Sequence, residues 1–143
     1  MKDSFNNLSP TIKIVLVIIA IVIVYFLTKT AKSYFQRTVE KAEDAGEIIA
    51  LNQQGVVRSY SDSQYKAYAD RLETSMKGWG TSIQEVYAVY GKMKNDVDMI
   101  HLNNKFGVRD GYNLRGWLLD DLATFEIEAV NHILKQKGIT RLY

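Results

Sequence analysis

The sequence predicts an all-α protein: an N-terminal transmembrane helix, a stalk helix, and then a domain of five short helices. Three observations carry this. Residues Ile14–Leu27 read IVLVIIAIVIVYFL without a charge. Pro occurs once in 143 residues, at Pro10, so little interrupts long helices. From Ser61 onward, apolar residues recur at three- and four-residue intervals, and no alternating strand pattern appears.

Residues 1–10 are expected to form an N-terminal tail and residues 11–28 the transmembrane helix. Lys13 is the one charge in that span. The uncharged core rises about 21 Å at 1.5 Å per residue, which is short for a bilayer. Lys13 can snorkel toward headgroups, and Tyr25 and Phe26 suit the opposite interface. A cleaved signal peptide is disfavoured, because FLTKTAKSYF offers no small-residue cleavage site and brings two lysines at once. Lys29, Lys32, Arg37 and Lys41 follow the span, against Lys2 and Lys13 before or within it. This bias places the C-terminal domain on the cytoplasmic side.

Residues 29–55 are read as the stalk helix. Tyr34, Phe35, Val39, Ala42, Ile48 and Ile49 form a broken apolar stripe, opposite a face rich in Glu40, Lys41, Glu43, Asp44 and Glu47. Gly55 stands where a helix C-cap belongs, and residues 56–60 form a connector.

Residues 61–143 are the domain. Ser61 and Gln64 have capping-box spacing, with Tyr65, Tyr68, Leu72 and Met76 on one face of the first helix. Gly78-Trp79-Gly80 breaks it. Thr81 with Gln84, or Ser82 with Glu85, caps the second helix, whose apolar face is Ile83, Val86, Tyr87 and Tyr90. Asn95 or Asp96 opens a third, with Val97, Ile100 and Phe106 inward and Gly107 at its end. Val108–Tyr112 is a turn. Asn113 opens a fourth helix with Leu114, Trp117, Leu118 and Leu122 apolar. Thr124 caps a fifth, with Ile127, Val130, Ile133 and Leu134 inward, and Gly138 closes it.

Composition excludes several functions. Eighteen basic against sixteen acidic residues give +2, so a strongly basic nucleic-acid binder is ruled out. With no Cys there is no disulfide frame, thiolate metal site or Cys nucleophile. The two histidines, His101 and His132, lie mid-helix and read as surface or satisfied core residues. No nucleophile elbow, phosphate-binding glycine loop or His-Glu-x-x-His is present. Asp120 and Asp121 are adjacent, not separated as a glycosidase pair requires. No enzyme, no catalytic residue and no small-molecule substrate is expected.

Met76-Lys77-Gly78-Trp79-Gly80-Thr81 resembles the Lys-Gly-x-Gly-Thr loop of the annexin repeat, which joins the first two of that repeat's five helices. Phe106-Gly107 resembles the close of its third helix. Asp121-Leu122 followed by Phe125-Glu126 resembles the opening of its fifth. The likeness covers residues 61–138, a single repeat where the family usually carries four. Ser82-Ile83 stands where the family usually has Asp-Glu.

The resemblance implies a weak calcium site. Its ligands would be the carbonyls of Met76, Gly78 and Gly80 with a distant carboxylate. Residue count from Thr81 gives Asp120 that role, and the local register gives it to Asp121. Calcium takes about six to eight oxygens, so water or a phosphate would supply the rest. The alternative for the loop is a tight helix connector, with the Asp as a cap or the partner of Lys77 or Arg115. Trp79 at the loop tip suits a membrane interface or a protein pocket. Trp117 belongs in the core.

These features lead to an expected single-pass membrane protein without enzymatic activity. Its helical domain would tether a lipid bilayer to a protein assembly or neighbouring subunits; a lipid-containing virion is one such setting. The alternative is a calcium-dependent adaptor that binds acidic lipid or a partner through Gly78–Gly80. The second alternative is a membrane-tethered cell-wall hydrolase of unfamiliar motif.

Overall fold

The computed structural model describes residues 10–78 and 80–143, with the side chains of residues 10, 11, 13 and 28–40 outside the description. Residues 1–9 of the expected tail and Trp79, together with the side chains of Lys13, Tyr34, Phe35 and Val39, therefore lie outside the described residues.

The chain is mostly helical, as an all-α protein. Helix α1 runs Pro10–Gln53 without a break, so the expected span and stalk are one helix. Its end is closed by Gly55 at φ +82°, with the Val56 amide donating to the Leu51 carbonyl at 3.0 Å. Among the described residues no helix is long and apolar enough to cross a membrane. The described part of the apolar run is Ile12 and Ile14–Leu27, and its large side chains are 41 to 63% exposed.

The chain divides at Glu43/Asp44, and the second compact unit is Asp44–Tyr143. It holds the last turns of α1 and five further helices: α2 Asp62–Met76, α3 Ile83–Tyr90, α4 Asp96–Phe106, α5 Leu114–Asp121 and α6 Thr124–Lys135. Helix α2 packs on α3, α4 and α5, while α6 packs on α3 and α5. The core between them holds Tyr65, Leu72, Val86, Tyr90, Leu102, Leu118, Val130 and Leu134, each almost wholly buried. Trp117 is half-buried rather than central: it packs on the core's edge against Phe106 and donates its indole N–H to the Arg109 carbonyl at 2.8 Å.

The helix ends show which caps form. Ser61 and Gln64 make the full capping box. Asn95 accepts from the Asp98 amide, and Asn113 from the Gly116 amide, both at 2.9 Å. Two expected caps do not form. Ser82 holds the N-cap position of α3 without a side-chain bond, while Glu85 pairs with Arg71 and the Thr81 hydroxyl donates to Asp121. Thr124 is already helical; Ala123 is the N-cap of α6, and Glu126 accepts its amide at 2.9 Å.

The expected turn at Val108–Tyr112 is a two-residue hairpin. Strand β1 (Val108–Arg109) pairs antiparallel with β2 (Tyr112–Asn113). Asp110 at φ +48° and Gly111 at φ +90° form its tip, as a primed turn requires. Gly138 at φ +73° closes α6. The tail beyond it is pinned, with Asn131 exchanging two bonds with the Tyr143 backbone and Asp96 accepting from the Thr140 and Arg141 amides.

Candidate functional site

The loop between α2 and α3 is built by its glycines. Helix α2 stops at Lys77, which is extended. Gly78 (φ +104°) and Gly80 (φ +91°) then take left-handed conformations. A Cβ would meet nothing within 4 Å at either, so backbone conformation rather than crowding demands glycine. The Ser82 amide donates to the Ser75 carbonyl at 2.9 Å and closes the loop. Arg71 pairs with Glu85 and ties the flanking helices together.

Thr81 donates its hydroxyl to Asp121 at the end of α5. This brings together a loop and a carboxylate forty positions apart. Asp121 is half-buried at this contact, and its neighbour Asp120 is exposed. Met76 is buried as the last residue of α2, and Gly78 and Gly80 follow it on the loop. Of the expected ligand set, Asp121 is tied to Thr81, the residue after Gly80. Lys77 is paired with Glu73 at 3.6 Å and Asp110 at 3.9 Å, rather than with Asp121. Arg115 reaches the Leu142 carbonyl at 3.5 Å instead. Among the described residues no group of three or more His, Asp or Glu side chains could hold a metal. Any cation here would depend on backbone oxygens and one carboxylate that already accepts a hydrogen bond.

A second constellation escaped sequence reasoning. Asp98 is wholly buried. It accepts the Ser59 and Lys94 amides at 2.8 Å each and the Tyr65 hydroxyl at 2.5 Å. A buried carboxylate survives only with such partners. Burial and the Asp98 bond hold the Tyr65 phenol well above its ordinary range. His101 stacks on the Tyr65 ring at 5.2 Å; burial, then the Arg58 cation, lowers its pKa. The available signal was Asn95-x-x-Asp98, which has capping-box spacing.

Arg109 was also missed. Its guanidinium bonds Asp70 at 2.9 Å and Glu73, and lies 4.6 Å over the Phe106 ring. It locks the hairpin onto α2. No family model, no curated protein and no solved structure matches this chain.

Proposed function

We propose that this is a single-pass membrane protein whose helical domain docks the membrane to a protein assembly or to neighbouring subunits, without enzymatic activity. The carrying observation is the helix surface at Ile14–Leu27, where consecutive apolar side chains are exposed on every face. Such a surface belongs in lipid or against protein. The compact unit has its own core, caps and pinned tail, which suits a module held at a membrane by a single helix. A lipid-containing virion remains a setting that needs such a tether.

Cross-linking tests the docking half. In native membranes, amine-reactive cross-linkers on exposed Lys92 and Lys135 should capture a protein neighbour with defined cross-linked sites. Cross-links confined to within one chain would contradict docking.

A second reading is favoured by one contact. Asp121 sits at the Gly78–Gly80 loop, where the annexin-repeat resemblance calls for a carboxylate. In that reading the loop binds calcium weakly and bridges to an acidic lipid or partner. The two readings differ in whether docking depends on calcium.

A further inference from the structure

Residues 139–143 form neither helix nor strand, and side chains of the helices hold them instead of a ladder. Asp96, the first residue of α4, accepts the Thr140 and Arg141 amides at 2.9 and 2.8 Å and the Thr140 hydroxyl at 3.0 Å. Asn131 of α6 accepts the Tyr143 amide at 2.9 Å and donates to the Tyr143 carbonyl at 2.8 Å. The Tyr143 phenol donates to Asn103 at 2.9 Å, and its ring meets Tyr90 edge-on at 5.5 Å. Ile139, buried in the core, roots this strap at its start.

The strap also grips outward. Arg141 bonds Asp44 at 2.9 Å and Glu47 at 3.1 Å, near the end of α1. Among the described residues, no other hydrogen bond or ion pair joins residues 44–53 to the chain beyond the connector. Packing there is incomplete. A slot of about 360 Å³ lies between Ile48 and Asn52 on this helix and Val97 and His101 on α4.

A partly exposed ion pair is weak by itself, because ordering two long side chains offsets most of the Coulomb gain. Here Asp96 fixes the Arg141 backbone in advance, so less ordering remains. The outward pair and the bonds from Asp96 and Asn131 therefore support one another.

We propose that residues 139–143 are a latch. Seated, the strap holds the end of α1 to the helical core; unseated, it releases that end. Linkage makes the coupling reciprocal. Whatever lifts the strap from Asp96 and Asn131 frees the helix end, and whatever pulls the helix end from Arg141 loosens the strap. The latch goes beyond the docking reading and stands whether or not α1 crosses a membrane.

Amide exchange of the purified full chain tests it from both sides. Asp96→Ala with Asn131→Ala deletes five bonds to the strap and none to α1. Exchange in residues 44–53 is expected to rise about threefold or more, together with the strap amides, while core segments around Leu72 and Leu118 keep their protection. Asp44→Ala with Glu47→Ala cuts the latch from the helix side. Ala favours helix, so lower helix propensity cannot explain a loosened end. Exchange in residues 140–143 is expected to rise in turn. All four substitutions together should free residues 44–53 no further than Asp44→Ala with Glu47→Ala does, because both pairs break one coupling. An increase confined to the strap in the Asp96→Ala, Asn131→Ala chain would overturn the latch, as would additive increases in the fourfold variant. Core segments that exchange faster in step with residues 44–53 would tie the helix end to global opening and overturn it too.

Discussion

At the residue scale, Asp98 has the largest expected effect. Asp98→Ala would leave two part-buried amides and a buried phenol without their acceptor. An unsatisfied buried group costs about 1 to 3 kcal/mol and a part-buried one less, so a loss of about 2 to 4 kcal/mol is expected in urea unfolding. Tyr65→Phe removes one donor, and about 1 kcal/mol is expected. A loss equal to that of Asp98→Ala would show that the backbone amides matter little. Gly80→Val should destabilise by about 1 to 2 kcal/mol with or without calcium, since φ +91° is strained for any side chain. His101 adds a pH dependence. Its folded pKa is lowered, so the unfolded chain takes up the proton first as pH falls through about 6.5. Stability should therefore decline from about pH 6.5 downward until folded His101 itself protonates. Melting temperatures measured against pH should show this slope, and His101→Gln should flatten it. Asp62, held low chiefly by its Lys105 bond, and Glu85, held low chiefly by Arg71, act in a lower window. Their contribution is present above about pH 4 and is lost as pH falls through their folded values.

At the element scale, the helices were legible because their signals are local. The Ser61–Gln64 box, the Asn95 and Asn113 caps, and the Gly55, Gly107 and Gly138 stops each lie within a few residues of the boundary they set. What failed was decided at a distance. Thr81 with Gln84, or Ser82 with Glu85, was the expected α3 cap, but the Thr81 hydroxyl goes to Asp121 and the Glu85 carboxylate to Arg71, both on other helices. The hairpin was read as a turn because two-residue strands are too short to alternate, although Asp110-Gly111 is a hairpin dipeptide. At the candidate loop, the glycines were legible from spacing. Which of Asp120 and Asp121 contacts Thr81 was not, because it depends on how α5 meets the loop. That contact makes a separable prediction. On the calcium reading, a millimolar dissociation constant means that about 10 mM calcium adds about 1.4 kcal/mol and raises the melting temperature by several degrees. Asp121→Asn should abolish the rise and Asp120→Asn should leave it. Magnesium should do much less. A melt indifferent to calcium, in a domain still damaged by Gly80→Val, would reduce the loop to a helix connector.

At the scale of the whole molecule, the compact unit begins at Asp44, inside the segment expected to be stalk. Arg141 explains this: its guanidinium bonds Asp44 at 2.9 Å and Glu47 at 3.1 Å, fastening the end of α1 to the tail. These pairs are partly exposed and contribute about 1 kcal/mol or less each. Arg141→Ala should therefore loosen the end of α1 without unfolding the core, seen as faster amide exchange at Asp44–Gln53 alone. Global acceleration would mean that this helix end belongs to the core. In the proposed function Ile14–Leu27 lies in lipid. Alkaline carbonate extraction of membranes containing the full chain tests it most directly. The chain should stay in the membrane pellet, and a variant with Ile18, Ala20 and Val22 all replaced by Asp should not. Release of the unaltered chain into the supernatant would contradict the claim.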